Sequence, residues 1–205
     1  MSAPPLWLGR KPLMLASNSE VRRAVLTAAA IPLEVVPADI DERALEAAAG
    51  TQAPGEIAAL LAREKARHVA GRMPGRLVLG ADQTLALGQR VFSKPADPTA
   101  ARDQLKLLRG QTHALHAAIA LVRDGATVFE HCAVARLTMR AFSEDFLDAY
   151  LAAAGSAVTA SVGAYQVETI GIQLFERVEG DHFTILGLPL LPLLDFLRRD
   201  GCLAA

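Results

Sequence analysis

The stretch LVLGADQTLAL, residues 77–87, is the part of the chain from which the fold can be worked out. It is mostly apolar and carries one acidic side chain, Asp82, in its middle. An apolar run of this length predicts a buried strand. Gly88 and Gln89 then turn the chain into VFSKP, residues 91–95, so these two runs are expected to form a β-hairpin.

Upstream of this stretch the pattern predicts a strand and two helices. Residues 13–16 form a short apolar run that is typical of a buried strand. A helix is predicted over residues 17–30, because Ser17 begins the S-x-x-E spacing of a capping box. Residues 55–71 repeat apolar side chains at helical intervals, and Lys65 falls inside that apolar arc.

Downstream, two long β-compatible runs at residues 112–122 and 127–142 are joined at Asp124-Gly125, which is a strong hairpin signal. Further helices are expected to start at Asp97, at Ser143 and at residue 190. The alternation of strands and helices, with at least one antiparallel hairpin, predicts a mixed α/β fold. We expect one two-lobed domain over residues 1–205, with one lobe at 111–155 and the other at 12–110 plus 156–201.

The composition limits the classes of function. The chain has 205 residues, of which 52% are hydrophobic, and its formal net charge is −1. It therefore carries no overall field that would attract nucleic acid or an anionic membrane. We find no signal-peptide pattern and no apolar run long enough for a membrane span. Cys132 and Cys202 form no CxxC pair, so we expect two free thiols in a cytoplasmic protein.

The segment LASNSEVRR, residues 15–23, is a candidate anion site. A turn from a strand into a helix offers free backbone N–H groups and the positive end of the helix dipole. Ser17 and Ser19 add hydroxyl donors, and Arg22 and Arg23 add planar donor groups that suit phosphate oxygens. The alternative is that both arginines lie on a solvated helix face.

Asp82 is a candidate metal ligand or general base. A carboxylate inside an apolar run is costly to bury unless it is paired or binds a metal. The alternative is an aspartate at the end of the strand that caps a turn. Mg²⁺ prefers one or two carboxylates plus substrate phosphates. The second carboxylate could come from residues 33–42, a segment predicted to be extended that ends in Asp39, Asp41 and Glu42.

Lys65 and Lys94 are weaker candidates, since Lys65 could simply extend its ammonium from an apolar face. Together, however, two lysines, two arginines and an acidic group match what a triphosphate with Mg²⁺ requires. The five histidines lack metal-ligand spacing, and the chain contains no GxSxG or Walker A motif. Hydrolases that depend on those devices are therefore disfavoured.

These stretches together resemble the Maf family of nucleotide pyrophosphatases. The resemblance covers about residues 13–201, and its motifs here are LASNSEVRR, DIDE, AREKA, LGADQT, SKP, GAYQVE, LFERVEGD and GLPL. Each motif is short, but their order and spacing together are specific. The resemblance implies a mixed twisted sheet with flanking helices and a deep cleft between two lobes, similar to the fold of inosine triphosphatases.

The resemblance also implies an activity. Family members hydrolyse a nucleoside triphosphate to the monophosphate and pyrophosphate with a divalent cation, Mg²⁺ or Mn²⁺. Asp82 falls at the position of the general base, and Glu42 falls at a conserved acidic position, so either would help to hold the metal. The phosphate-binding positions of the family correspond to Ser17, Arg22, Arg23, Lys65 and Lys94.

Three features resemble the branch of the family that acts on 7-methyl-GTP. Two residues separate Ser19 from the arginine pair, Gln83 stands where dTTP/UTP pyrophosphatases usually carry threonine, and Glu168 stands where they carry glutamine. A carboxylate can accept hydrogen bonds from N1–H and the 2-amino group of guanine, whereas an amide suits a uracil or thymine edge. The alternative is that Glu168 pairs with a nearby arginine.

Other functions remain open from the sequence. One is a dTTP/UTP pyrophosphatase of the same family, and another is a non-catalytic nucleotide-binding regulator of cell division. A phosphomonoesterase would release phosphate instead of pyrophosphate. The resemblance implies a house-cleaning role and a possible homodimer. The near-zero net charge and the lack of a long apolar run predict no nucleic-acid or membrane partner.

Overall fold

The computed structural model describes residues 5–50 and 53–205, and one mixed β-sheet organises them. The strands within these residues are β1 Leu13–Leu15, β2 Leu33–Val35, β3 Val78–Leu87, β4 Arg90–Phe92, β5 Thr112–Arg123, β6 Ala126–Met139 and β7 Phe175–Glu179. Their order across the sheet is β2-β1-β3-β5-β6-β7, and β4 pairs with β3. β1 runs parallel to β2 and β3, and all other pairs are antiparallel. The prediction of a mixed α/β fold is confirmed.

Helices connect and cover the strands. The α-helices of the described residues are α1 Glu20–Ala28, α2 Glu42–Ala48, α3 Pro54–Ala70, α4 Pro98–Leu108, α5 Glu144–Ala154, α6 His182–Ile185 and α7 Leu190–Arg199. Three short 3-10 turns, Gly155–Thr159, Val162–Ala164 and Ile170–Leu174, lie between α5 and β7. Within the described residues, no helix is long and apolar enough to cross a membrane.

The sheet opens along one edge of β3, and this opening locates the site. Val78 and Leu79 pair with β1 on that edge, and Leu85–Leu87 pair with β4. Among the described strands, none pairs with residues 80–84 on this side, whereas β5 follows the opposite edge throughout. The opening from Leu79 to Leu85 is about 20 Å long, at roughly 3.3 Å per strand residue. Asp82 lies at its centre.

The two faces of the sheet carry separate cores. α3 packs on one face, against β3 and β5. On the other side, one large cluster gathers around Leu85, Leu105 and Tyr165, and another around Leu26, Leu121 and Leu193. Burying these apolar side chains stabilises the fold by about 25 cal/mol per Å² removed from water.

Two local predictions were wrong. The first helix starts at Glu20 instead of residue 17, and its cap is Ser19, whose hydroxyl accepts a hydrogen bond from the Arg22 N–H. Residues 33–42 were expected to be an extended segment; Leu33–Val35 form a strand and residues 36–41 belong to no helix or strand, but Glu42 already begins α2. At the far end, Asp41 caps α2 by accepting from the Ala44 N–H. An aspartate followed by a run of strong helix formers favours a helix there.

The hairpin predictions are confirmed. Leu85–Leu87 pair with Arg90–Phe92, and β5 pairs with β6 across the Asp124-Gly125 turn. Both β5 and β6 belong to the same continuous sheet as β1 and β3. The division into lobes at residues 111–155 stays a prediction.

Candidate active site

A lysine lies between two carboxylates at the opening of the sheet. Lys65 Nζ is 2.5 Å from Asp82 Oδ1 and 2.9 Å from Glu42 Oε1. Asp82 is only 7% exposed and Lys65 only 8%, while the side chain of Glu42 is half exposed. The pairing explains how an acid can stand inside an apolar strand, since a buried charge requires a partner. The alternative role for Asp82, capping a turn at the strand's end, is not what the structure shows.

A close approach of α3 to β3 places these groups together. A Cβ atom at Gly80 would lie 2.0 Å from the Ala62 carbonyl oxygen, so only glycine allows this contact. Thr84 ties the start of α3 to the same strand face by donating to the Pro54 carbonyl at 2.9 Å. Alternate residues of a strand share one face. Gly80, Asp82 and Thr84 therefore all face α3. Lys65 lies on α3 and contacts Asp82 across the interface between this helix and β3.

Arg22 borders the opening from the other side and is held by backbone carbonyls. Its Nη1 donates to the Ala81 carbonyl at 2.8 Å, within the part of β3 that lacks a strand neighbour. Its Nε donates to the Gly187 carbonyl at 2.9 Å. Burial lowers the pKa of Arg22, and the charges of Asp82 and Glu42 oppose this shift. The guanidinium nevertheless stays protonated, because an arginine pKa starts far above neutral pH.

The serines shape the turn that precedes α1. Ser17 Oγ accepts from the Ser19 N–H at 3.2 Å and from Arg22 Nη1 at 3.3 Å. Arg22 therefore contacts the turn that precedes α1, and anion binding by this turn stays a prediction. Within residues 5–50 and 53–205, no hydrogen bond engages Arg22 Nη2, so this group is available to a phosphate.

The structure separates the two adjacent arginines. Arg23 is exposed and forms an ion pair with Glu20 on the outer face of α1. One residue step on a helix turns the side chain by about 100°, and this is enough to take Arg23 away from the backbone groups that hold Arg22. Arg23 therefore lies on a solvated face of the helix, as the alternative interpretation of the sequence stated.

Lys94 lies at the opposite end of the opening. It follows β4 by two residues, and β4 closes the edge of β3 at Leu85. Its side chain is exposed, and it makes no ion pair within the described part of the chain. Lys94 and Ser17 therefore stand on different sides of the opening that contains Asp82.

Gln83 is occupied by a backbone contact. Its side-chain Nε2 donates to the carbonyls of Thr184 and Ile185, each at 3.1 Å. This contact joins β3 to α6, directly before the GLPL segment that receives Arg22 at Gly187. Its Oε1 lies close to Gly187, where an added Cβ atom would be 3.4 Å away. Only this oxygen stays available for a ligand, as an acceptor.

Glu168 lies on a tight turn apart from the charged cluster. The Thr169 N–H donates to the Gln166 carbonyl at 3.2 Å, which closes a turn over Val167 and Glu168. The Glu168 side chain is exposed, and no described residue forms a salt bridge with it. Pairing with an arginine is therefore not seen. Its proposed contact with a base stays a prediction.

One further carboxylate was missed by the sequence analysis. Glu46 lies one helical turn after Glu42 on α2, and it is partly buried. Its pKa is raised by burial and by the nearby charges of Asp82 and Glu42, whereas Lys65 and Arg43 act in the opposite direction. The i, i+4 spacing of the two glutamates in ERALEAA would place both side chains on one face of a helix. This spacing is informative only once the segment is known to be helical.

The donor set fits a divalent cation. Carboxylate oxygens are the ligands that Mg²⁺ prefers, and the Lys65 ammonium already marks a cation position between Asp82 and Glu42. Within the described residues, no group of three or more His, Cys, Asp or Glu side chains could hold a metal alone. A cation here would need phosphate oxygens to complete its shell, which is the usual situation for Mg²⁺.

Comparisons with known proteins identify the family of this chain. The family model for the Maf-like proteins matches residues 12–200. A nucleoside triphosphate pyrophosphatase of Rhodopseudomonas palustris is 60% identical over 97% of this chain and 98% of that protein. A 7-methyl-GTP pyrophosphatase of Mesorhizobium japonicum is 52% identical over 93% of this chain and 97% of that protein.

Two solved structures match this chain at lower identity. A HAM1 protein from Coxiella burnetii aligns with a TM-score of 0.44 at 20% identity, over 64% of this chain and 74% of that one. A dITP/XTP pyrophosphatase from Mycobacterium abscessus aligns with a TM-score of 0.40 at 15% identity, over 93% and 95% of the two chains.

Proposed function

This chain belongs to the Maf family, and from that premise we propose that it hydrolyses a nucleoside triphosphate to the monophosphate and pyrophosphate. The observation that carries the proposal is the pair of carboxylates, Asp82 and Glu42, bridged by Lys65 beside Arg22 at the opening of the sheet. Such a set can bind a polyphosphate and also accept a proton. The names of the similar proteins support the same reaction.

Asp82 is the residue that acts on water. Its Oδ1 is held by Lys65, and no described residue bonds to Oδ2. In the proposed reaction, Oδ2 takes a proton from a water molecule whose oxygen bonds to the α-phosphorus. The bond from that phosphorus to the bridging oxygen breaks, and pyrophosphate leaves with the electron pair.

The cations of the site stabilise the leaving group. Arg22 lies on one side of the opening, with an Nη2 group that no described residue engages, and Lys94 lies at the other end. Lys65 is held beside the reacting centre. Preformed positive charge of this kind stabilises the negative charge that builds up on the phosphates during transfer.

We include a divalent cation, Mg²⁺ or Mn²⁺, in the proposal. Asp82 and Glu42 would hold it, because their oxygens already meet the Lys65 ammonium. When bound, such a cation neutralises phosphate charge and acts as a Lewis acid. Cytoplasmic location and a homodimer stay predictions.

For the nucleobase we propose 7-methyl-guanine. Support comes from the acceptor groups of Gln83 and Glu168 and from the Mesorhizobium japonicum relative. Gln83 offers Oε1 only, and the carboxylate of Glu168 can accept from both N1–H and the 2-amino group of a guanine edge. The alternative within the family, dTTP and UTP, would require a donor that neither side chain supplies.

The experiment is a product assay over GTP, 7-methyl-GTP, dTTP, UTP and CTP with Mg²⁺ and with Mn²⁺. We expect pyrophosphate and monophosphate, with the highest kcat/KM for 7-methyl-GTP. Preference for dTTP and UTP would keep the reaction and reject the proposed base. Tight binding without any product would favour a non-catalytic regulator, and release of orthophosphate alone would indicate a phosphomonoesterase.

Glu168→Gln tests the base contact separately. Loss of the negative charge should shift the preference from guanine towards pyrimidine triphosphates by about 10-fold, the usual effect of one charged hydrogen bond. Glu176→Gln on β7 is the matched control, since Glu176 is also exposed. An unchanged substrate ranking in Glu168→Gln would remove its assigned role.

A further inference from the structure

His113 is a buried polar side chain that the proposed reaction does not use. It lies on β5 and is only 1% exposed. Its Nε2 shares a hydrogen bond of 2.7 Å with the hydroxyl of Tyr165, and its ring packs against Tyr165 and Phe175. Its Nδ1 is buried and has no hydrogen-bond partner. An unpaired buried nitrogen reduces stability, so an apolar residue would suit this core better.

Tyr165, the hydrogen-bond partner of His113, directly precedes the turn that carries Glu168. Tyr165 is followed by Gln166, the first residue of the turn closed by the bond from the Thr169 N–H. Tyr165 is therefore the residue immediately before this turn. Tyr165 is also buried, and its ring meets Phe175 edge-on at 4.8 Å between centroids.

The backbone before Tyr165 is strained. Gly163 has φ of 80° and Ala164 has φ of 61°, and a left-handed conformation is unfavourable for a residue with a Cβ atom. Such a conformation persists only where surrounding contacts enforce it. Strain of this kind clusters at functional segments, and here it falls on the first two residues of GAYQVE, residues 163–168, the segment that was singled out in the sequence.

Several hydrogen bonds enforce this conformation. The Ala164 carbonyl accepts from the Tyr150 hydroxyl at 3.0 Å, and the Tyr165 carbonyl accepts from Ser161 Oγ at 2.6 Å. Beside them, a pocket of about 240 Å³ is lined by residues that include Tyr165 and Gln166. Packing is therefore incomplete on that side, and directed bonds determine the position of the turn.

From these contacts we propose that His113 is a positioning residue for nucleobase selection. It holds the Tyr165 hydroxyl, and through Tyr165 it fixes the turn that presents Glu168. The inference rests on the proposed function, because it assigns base reading to that turn. It predicts that His113 acts on substrate recognition, while Asp82 and Lys65 are left in place for the chemical step.

The test uses three variants of the full chain. His113→Leu removes the hydrogen bond, and His113→Gln keeps it, because a glutamine amide reaches the position of Nε2 and can donate or accept. Tyr165→Phe removes only the hydroxyl and leaves the ring in the core. The control is Leu121→Val, on the same strand and also fully buried, about 26 Å from His113 at roughly 3.3 Å per residue.

For His113→Leu and Tyr165→Phe we expect KM for 7-methyl-GTP to rise about 10-fold, with kcat within about 3-fold of wild type, as for a lost binding contact. Their preference for 7-methyl-GTP over dTTP should fall, whereas His113→Gln and Leu121→Val should keep both values near wild type. If all four variants kept the wild-type KM and ranking, His113 would have only a structural role and the inference would be wrong.

Hydrogen exchange provides a readout that does not depend on turnover. Amides of residues 164–169 should exchange faster in His113→Leu and Tyr165→Phe, but not in Leu121→Val. If the wild type released no pyrophosphate, the proposed function would fail, whereas exchange would still decide whether His113 holds the turn. Unchanged exchange in both variants would overturn the inference even with an active enzyme.

Discussion

Replacing Lys65 with methionine should destabilise the protein because it leaves two carboxylates without their cation. Lys65 Nζ lies 2.5 Å from Asp82 and 2.9 Å from Glu42, and Asp82 is only 7% exposed. Removing one partner of a buried ion pair costs about 3–5 kcal/mol, mostly for the charge left behind. Since Glu42 is half exposed, we expect the lower end, about 3 kcal/mol.

The assay is urea unfolding followed by circular dichroism. With a slope of about 2 kcal/mol per M of urea, a loss of about 3 kcal/mol lowers the midpoint by about 1.5 M. Lys106→Met is the matched control, because Lys106 pairs with Glu144 at 3.3 Å on the surface. Its midpoint should stay close to that of wild type, as expected for an exposed pair.

Added Mg²⁺ should partly restore the variant. With Lys65 absent, the oxygens of Asp82 and Glu42 are open to a cation, and ligand at tenfold excess over its Kd adds about 1.4 kcal/mol. Asp82→Asn placed in the Lys65→Met background should also recover stability, since it removes the uncompensated charge. Equal midpoints for Lys65→Met and Lys106→Met would refute the reasoning.

The remaining predictions concern activity and pH. Asp82→Asn should lower kcat by about 10² or more, because the amide cannot accept the proton from water. Arg22→Lys should lower kcat/KM by at least about 10-fold, since an ammonium cannot bridge the Ala81 and Gly187 carbonyls, whereas Arg23→Lys should have little effect. Burial lowers the pKa of His113 to about 4, below the unfolded value of about 6.5, so the unfolded chain binds more protons between these values. The contribution of His113 to the free energy of unfolding is therefore largest above pH 6.5. It falls as the pH drops towards 4, by about 2.5 kcal/mol between pH 7.5 and 4.5.

Each of these has a control and a contrary result. Asp97→Asn should keep full turnover, because asparagine also caps the N-terminus of α4 well. Wild-type turnover in Asp82→Asn would remove it as the base, and equal losses in Arg22→Lys and Arg23→Lys would reject the difference between them. For the pH prediction, urea unfolding of wild type is compared with His113→Gln. Parallel stability curves between pH 7.5 and 4.5 would show that His113 does not titrate as described.

Much of the fold could be predicted from local patterns. The hairpins follow from glycine turns between apolar runs. The acid within 77–87 and the lysine inside an apolar helical arc were each recognised as candidate site residues, but the sequence did not predict that they pair with each other. In the structure Asp82 and Lys65 form a buried ion pair. Both signals rest on the same physics: a charge at an apolar position requires a partner.

The unpredicted parts depend on contacts between distant segments. Arg22 and Arg23 are identical in type, and what distinguishes them is a carbonyl at Gly187 that is 165 positions away from Arg22. The cap of this helix is Ser19 instead of Ser17, a choice between two nearby serines that the local pattern did not resolve. Glu46 became a neighbour of Asp82 only because α2 folds back over α3, which local propensity does not specify.

The most direct test of the account is hydrolysis of 7-methyl-GTP in water enriched with oxygen-18, followed by mass spectrometry of both products. Attack by an Asp82-activated water on the α-phosphorus predicts label in the monophosphate and none in the pyrophosphate, with both products formed about 10²-fold or more slowly in Asp82→Asn. Label in pyrophosphate, or release of orthophosphate in its place, would show attack at another phosphorus and contradict the central claim.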